Sequence, residues 1–263
     1  MSTKLYVGNL GFDVTENDIR DMLSKHGPVD EIKVIKSDEE IALIRRTAAL
    51  QDAALDAALK AAVPGKRDIE IAAIAEHAVL NGGGEQGIFL CDSYTPGEPA
   101  PHANRHLQNR VMKKGDMFSL LVESNGPGGF YTETSRTIVL GRATQAMKDE
   151  LDIVLAARRN TLGMLKPGAS CADIWQSHNN FMRDHGRPEE HRLYCHGQGY
   201  DLVERPLVRY DEPFHIQKNM NIVCHPGYLG GGFLNGICDN YLIGETGVTE
   251  RLHKLPEKIY ELE

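Results

Sequence analysis

The sequence lacks any apolar run near the roughly 20 residues needed to cross a bilayer. Its opening, MSTKLYVGNL, is too short and too polar for an export signal. Cysteine is scarce, since the chain has five, an odd number, and no two of them form a Cys-x-x-Cys pair. We therefore expect a soluble, cytoplasmic protein with reduced thiols and no membrane partner.

Positive charge is also in deficit, with 29 Lys and Arg residues against 37 Asp and Glu and a net charge of -8. An acidic chain of this kind is a poor general binder of phosphate backbones. The hydrophobic fraction of 41% and the 26 glycines over 263 residues are typical of one large or two modest globular domains that contain both helices and strands.

Residue periodicity predicts several elements. Ser37, with Glu40 three residues on, predicts a capping box at the start of a long helix. Residues 116–123 and 130–140 resemble two paired strands joined by the turn Asn125-Gly-Pro-Gly-Gly129. Further helices are predicted over 67–80, 143–165 and from 170 or 173 towards 186. Because helices and strands follow one another without a repeated βαβ unit, the order predicts an α+β fold.

The first 35 residues read as strand, helix, strand, with Thr15 as the helix cap and Gly27-Pro28 as its end. The segment Leu5-Tyr6-Val7-Gly8-Asn9-Leu10 resembles the first motif of an RNA-recognition motif, in which Tyr6 would stack on a base. The second motif of that domain is absent from the sequence, and only half of a four-stranded domain is covered. We favour a βαβ segment packed on the larger domain, so RNA is not an expected partner; contact through Tyr6 is the alternative.

Between residues 36 and 263, sequence motifs of one superfamily occur in the order in which its members have them. They are Lys114-Gly-Asp, the segment from Gly129 to Thr137, Leu165-Lys-Pro-Gly, His196-Gly-Gln-Gly and the turn from Met220 to Gly227. This part of the chain resembles the creatinase and aminopeptidase P, or pita-bread, superfamily. The resemblance implies an α+β pita-bread fold, a curved antiparallel sheet with helices on its outer face, and a homodimer. It divides the chain into residues 1–35 and 36–263.

Metal-dependent members of that superfamily hold two divalent ions with two aspartates, a histidine and two glutamates. The resemblance places these ligands on Glu123, Glu133, His196, His225 and Cys238, of which only His196 is unchanged. A dinuclear site needs carboxylates that bridge ions about 3.5–4 Å apart, and an imidazole or a thiol does not replace them. We therefore expect no cofactor, with a single zinc, iron or manganese ion on these five residues as the alternative.

Creatinase keeps this fold without metals and hydrolyses a C–N bond with histidine. The resemblance therefore implies a hydrolase of C–N bonds in a small polar substrate. His102, His196 and Glu204 are the predicted catalytic residues, and Glu123, Glu133 and His225 the predicted substrate-binding residues. Val203 stands where peptidases of the superfamily have a second histidine, which weighs against an ordinary peptidase.

Two other functions stay open at this point. One is a superfamily lyase acting on a small charged substrate, and the other is a non-catalytic binding protein. A nucleophilic Cys–His pair is disfavoured, although Cys195 and Cys224 adjoin His196 and His225. Adjacent residues of a strand point to opposite faces of the sheet, so these pairs diverge.

Overall fold

The computed structural model describes residues 16–26, 35–98, 109–230 and 232–263. The helices are α1 Glu16–Ser24, α2 Asp38–Ala61, α3 Asp68–Asn81, α4 Gln145–Met164 and α5 Cys171–Asp184. The strands are β1 Gly87–Tyr94, β2 Met117–Asn125, β3 Tyr131–Val139, β4 Cys195–Gly197, β5 Glu204–Leu207, β6 Asn221–Cys224, β7 Gly227–Gly230, β8 Phe233–Gly236, β9 Asp239–Ile243, β10 Val248–Arg251 and β11 Tyr260–Glu261. Over these ranges, none of the helices has the length and apolar character needed to cross a membrane.

Helix α2 begins as the sequence predicts. The Ser37 hydroxyl accepts from the backbone N–H of Glu40, and the Glu40 carboxylate accepts from the backbone N–H of Ser37, so the capping box is complete. The predicted helix α1 is also present, whereas the two strands predicted on either side of it fall mostly outside the described residues. The helices predicted near 67–80, 143–165 and 170–186 are confirmed within a few residues.

The first sheet has the strand order β1-β2-β3-β11, and only its β3–β11 pair is parallel. The predicted hairpin is confirmed as β2 and β3, which place Glu123 directly opposite Glu133. A Cβ on Gly126, in the turn of this hairpin, would lie 2.3 Å from Thr47 Oγ1 of α2. The turn therefore needs glycine because helix α2 packs directly against its backbone.

The second sheet is antiparallel, with the order β10-β9-β6-β4-β5, and β7 and β8 form a separate hairpin. Strands β4 and β6 place Cys195 opposite Cys224 and His196 opposite Val223. Both cysteines belong to the apolar cluster beneath α5. The adjoining His196 lies on the other face, as strand alternation predicts.

Helices cover one face of each sheet. Helices α2 and α3 pack on the apolar face that holds Phe118, Leu120 and Val122 of β2, whereas apolar residues from the end of α4 and from α5 pack beneath β4, β6 and β9. The two sheets meet where the backbone of Ser135 in β3 pairs with that of Cys238, just before β9. This arrangement confirms the predicted α+β fold with helices on the outer faces of antiparallel sheets.

A buried ion network links the two sheets to α4. The Asp239 carboxylate of β9 accepts from Arg136 Nη2 of β3 at 2.7 Å and from Arg158 Nη1 of α4 at 2.8 Å. Arg136 and Asp239 are fully shielded from solvent. Arg136 also donates to the carbonyls of Cys238 and Leu255. Each of these charges is therefore paired, as burial requires.

His178 of α5 is buried against α4 and the start of β4. Its ring stacks on Tyr194 at a centroid distance of 3.9 Å, and its Nδ1 lies 3.3 Å from Thr161 Oγ1. Burial lowers the pKa of His178 from 6.5 to about 4, while the charge of Glu190 opposes this shift. The folded protein therefore holds this ring neutral at pH values where the unfolded chain protonates it.

We predict that His178 makes the protein less stable in acid. Between pH 6.5 and 4 the unfolded state binds the extra proton, so the free energy of unfolding falls as pH decreases through this window. In His178→Phe the fall should be shallower by about 1.4 kcal/mol per pH unit. Urea unfolding at a series of pH values measures it. His77→Gln, at an exposed site, should keep the original slope, and an unchanged slope in His178→Phe would contradict the prediction.

Candidate active site

Three side chains of metal-binding type converge between the two sheets. Glu133 comes from β3, His196 from β4, and His225 from the residue after β6. One ligand atom from each lies within 4.8 Å of the others. His225 Nε2 is 3.6 Å from Glu133 Oε1, and the two imidazole rings meet edge to face at 5.4 Å. We call these three residues the donor cluster.

The tautomer of His196 follows from its hydrogen bond. Its Nδ1 lies 2.8 Å from the carbonyl oxygen of Gly197. A carbonyl oxygen only accepts, so Nδ1 carries the hydrogen and the neutral ring keeps a lone pair on Nε2. A backbone carbonyl that orients a histidine in this way is typical of metal-binding imidazoles.

Burial sets the charges in the donor cluster. It lowers the pKa of His196, against the opposing charge of Glu133. It lowers the pKa of His225 to about 4, again against Glu133. For Glu133 burial works to raise the pKa, but the two histidines and the hydrogen bond from Cys238 bring it below its ordinary value. Two neutral imidazoles and an ionised carboxylate are the forms that bind metal ions.

Glu123 lies beside the donor cluster. It faces Glu133 across the β2–β3 hairpin, which places a second carboxyl group next to that of Glu133. Gln198 Nε2 donates to Glu123 Oε1 at 2.9 Å. Glu123 is therefore a second acidic group at the site, held by an amide.

Cys238 supports Glu133. Its Sγ lies 2.9 Å from Glu133 Oε1, and burial, reinforced by the charge of Glu133, raises the pKa of the thiol well above its ordinary value. The protonated thiol therefore donates to the carboxylate. Cys238 is one of the five metal positions that the resemblance implies, but the described geometry leaves it outside the donor cluster.

Sequence reasoning missed a set of buried amides behind the site. Asn240 Oδ1 accepts from the backbone N–H of Glu133 at 2.8 Å, and Asn240 Nδ2 donates to Gln198 Oε1 at 2.9 Å. The backbone N–H of Asn240 in turn contacts His253, whose Nε2 lies 2.9 Å from Gln51 Oε1. Of these residues, only Gln198 lies in a recognisable sequence motif, at the variable position of His196-Gly-Gln-Gly.

Both glycines of that motif lie at close approaches. A Cβ on Gly197 would lie 2.4 Å from the carbonyl oxygen of Arg205, so glycine lets β5 pair closely with β4. A Cβ on Gly199 would lie 2.6 Å from Lys36 Nζ and 2.7 Å from Glu204 Oε1. The second glycine therefore leaves room for an ion pair beside His196.

That ion pair involves the predicted catalytic residue Glu204. Lys36 Nζ donates to Glu204 Oε2 at 2.6 Å, and Glu204 Oε1 accepts from the backbone N–H of Tyr200 at 2.6 Å. A carboxylate bound in this way orients its surroundings more readily than it exchanges protons. The predicted catalytic residue His102 and the predicted base-stacking residue Tyr6 lie outside the described residues.

The donors fit one metal ion better than two. Of the five positions that the resemblance assigns to metal, the structure gathers the donors of Glu133, His196 and His225 within one sphere. Two imidazoles and a carboxylate with a free fourth position are a known ligand set for a single catalytic zinc. A pair of ions needs bridging carboxylates, which His225 and the thiol of Cys238 cannot supply.

Comparison with known proteins agrees with this fold. The sequence model of metallopeptidase family M24 matches residues 42–245, which is most of the chain. The chain therefore belongs to metallopeptidase family M24, a hydrolase family of the creatinase and aminopeptidase P superfamily, as the resemblance implied. A second model, the RNA recognition motif, matches residues 5–51 and ends inside α2.

Individual relatives are peptidases by name. The chain is 25% identical to an Xaa-Pro dipeptidase of Pyrococcus furiosus over 96% of this chain and 74% of that protein. It is 27% identical to an Xaa-Pro dipeptidase of Pyrococcus horikoshii over 88% of this chain and 66% of that one. Against the structure of an X-Pro aminopeptidase from Thermotoga maritima the TM-score is 0.78 at 22% identity, over 93% of this chain and 66% of that one. The chain thus spans about two thirds to three quarters of these relatives.

We predict that Gln198 is needed to keep the site folded. Gln198→Leu removes the donor to Glu123 and one of the acceptors for Asn240, so buried polar groups lose hydrogen bonds. The free energy of unfolding should fall by about 0.5–3 kcal/mol for each hydrogen bond lost, as measured by urea unfolding.

The matched control is Gln176→Leu, because Gln176 is exposed on α5 and, among the described residues, its side chain bonds to Asn180 of the same helix. That change should alter the free energy of unfolding by less than about 0.5 kcal/mol. Equal effects of the two substitutions would show that the buried amide contacts do not stabilise the site.

Proposed function

We propose that this protein hydrolyses C–N bonds in small amino-acid-derived substrates, with one divalent ion of the zinc class held by Glu133, His196 and His225. The observation that carries the proposal is the donor cluster, in which two neutral imidazoles and one carboxylate converge at the seam between the sheets. This choice takes up the single-ion alternative of the sequence analysis in place of its metal-free expectation.

Ligand chemistry supports zinc over the other candidates. Imidazole suits zinc, copper and iron, whereas manganese and magnesium favour sites rich in carboxylates and water. Only one of the three clustered donors is a carboxylate. When bound, a zinc-class ion would act as a Lewis acid towards the carbonyl group of the scissile bond.

The remaining chemistry belongs to side chains of this protein. Glu123 is a second carboxyl group beside Glu133, and the Gln198 amide fixes its direction. We assign it the role of general base, which accepts a proton from the attacking water and returns it to the leaving nitrogen. The thiol of Cys238 and the backbone contact from Asn240 hold Glu133 in place. Glu204, bound to Lys36, orients the loop that follows His196.

The names of similar proteins support a small substrate. Two of them are named Xaa-Pro dipeptidases, and we propose a dipeptide or similarly small amide for this protein. The resemblance to creatinase suggests creatine, an amidino compound, as the competing substrate in the assay below.

We predict about one zinc ion per chain. Plasma mass spectrometry of protein loaded with zinc and then desalted should give a ratio near one. A competition titration should show zinc binding at least about a hundredfold weaker in His225→Gln, because a ligand is lost. Cys238→Ser should stay within about tenfold of the parent, since Cys238 only supports Glu133. His185→Gln, an exposed histidine, should bind zinc like the parent.

Two equivalents of zinc would overturn the single-ion site. Absence of zinc binding, or undiminished zinc binding in His225→Gln, would show that the donor cluster is not the zinc site. Each of these outcomes can be read without an activity assay, so the metal site can be tested before any substrate is known.

We predict amide hydrolysis that depends on Glu123. Zinc-loaded protein should release free amino acids from an Xaa-Pro dipeptide, followed by amino-acid analysis, with an Xaa-Ala dipeptide and creatine run in parallel. Glu123→Gln should lower kcat by roughly 10²- to 10⁴-fold while zinc stoichiometry stays near one. Full activity in Glu123→Gln would refute its role as base. Inactivity of the zinc-loaded parent on all three compounds would favour a non-catalytic binding role.

A further inference from the structure

A second concave site lies on the outer face of the second sheet, away from the donor cluster. It is a pocket of about 300 Å³ between α4 and the strands β9 and β10. Its walls include Arg158 and Arg159 of α4, Tyr241 of β9, Arg251 of β10 and Glu257. We call it the arginine pocket.

Positive charge exceeds negative charge in the arginine pocket. Arg158 donates to Asp239 at its base and to Glu257 at its rim. Arg251 Nη1 lies 3.1 Å from the same Glu257 carboxylate. Behind the pocket, Arg136 shares Asp239. Four guanidinium groups, including Arg159, are thus balanced by two carboxylates, which leaves two positive charges in excess.

Arg159 contributes the accessible part of that excess. Its side chain is exposed, and within the described part of the chain it has no acidic partner. Its neighbour Arg158 is buried and held rigidly by two carboxylates. The pocket therefore combines one fixed and one free guanidinium group on the same turn of α4.

Tyr241 adds a neutral donor with an unused hydrogen. Its side chain is 3% exposed, and its hydroxyl has no hydrogen-bond partner among the described residues. Burial raises the pKa of this hydroxyl above its ordinary value, so it stays protonated. The Arg158 guanidinium lies 5.9 Å from the centre of its ring. A buried polar group without a partner is rare in folded proteins and calls for a ligand or an ion that satisfies it.

We propose that the arginine pocket binds a dianionic oxyanion, a phosphate group or phosphate monoester, through Arg158, Arg159, Arg251 and the hydroxyl of Tyr241. Guanidinium groups match the oxygen geometry of phosphate with paired hydrogen bonds. Two negative charges neutralise the excess of the pocket. Its volume exceeds that of a bare phosphate ion, so a small organic group attached to the phosphate can also be accommodated.

Calorimetric titration of the full chain with inorganic phosphate, and separately with glycerol phosphate, tests the proposal at fixed ionic strength. We expect saturable binding of one anion per chain. Tyr241→Phe and Arg159→Gln should each weaken binding by about tenfold or more, because each removes a hydrogen bond to a charged group. Arg142→Gln changes an exposed arginine that pairs with Glu263 and does not line the pocket, so this variant should bind the anion like the parent.

Both test variants are expected to fold. Arg159 is exposed, and Tyr241→Phe removes a hydroxyl that has no partner in the fold; thermal unfolding midpoints check this directly. Tighter binding of glycerol phosphate than of phosphate supports a phosphorylated small molecule, and equal binding supports the bare anion. The absence of saturable binding by either anion, or parental affinity in both variants, overturns the proposal.

Discussion

The carboxylate of Asp239 fixes the position of the two sheets and helix α4 relative to one another. It accepts from Arg136 of the first sheet and Arg158 of the helix, at 2.7 and 2.8 Å, with solvent excluded. Burying such charges costs nearly as much as their attraction returns. We infer that these charges set the relative placement of the two sheets and α4, because a shift of any one of them would leave a buried charge unpaired.

The geometry of the donor cluster depends on this arrangement through strand alternation. Because Asp239 points to the helix side of β9, its neighbours Cys238 and Asn240 point to the opposite side. There the thiol of Cys238 contacts the Glu133 carboxylate, and Asn240 accepts from the Glu133 backbone. Glu133 belongs to one sheet, whereas His196 and His225 come from the other. An ion bound to all three would join the sheets at the same seam that Asp239 holds.

Local signals in the sequence predicted most of the fold. The capping box of Ser37 and Glu40, the β2–β3 hairpin and the helices near 143–165 and 170–186 depend on residues close in the chain, and all are present. The resemblance to a known superfamily supplied the order of the site residues. The structure brings together three of the five metal positions that this resemblance implied.

What the sequence did not predict depends on distant partners. Gln198 contacts Glu123, 75 residues away, and Asn240 contacts the backbone of Glu133, 107 residues away. Glutamine and asparagine have no characteristic spacing for such contacts, so only the folded chain reveals them. The contact of Cys238 is of the same kind: sequence shows that a thiol can bind metal, but not that burial keeps this thiol protonated beside Glu133.

The two family matches overlap over residues 42–51, which lie in helix α2. In the folded protein these residues are helical. Ile44 and Ala48 are buried in an apolar cluster with Phe130 and Leu242, and Gln51 is buried against the first sheet. Gln51 also holds the backbone of Ser124, one residue from Glu123. If these residues formed part of a nucleic-acid-binding sheet, helix α2 could not pack beside Glu123 at the candidate active site. The two folds are therefore mutually exclusive over these ten residues, and the peptidase fold occupies them.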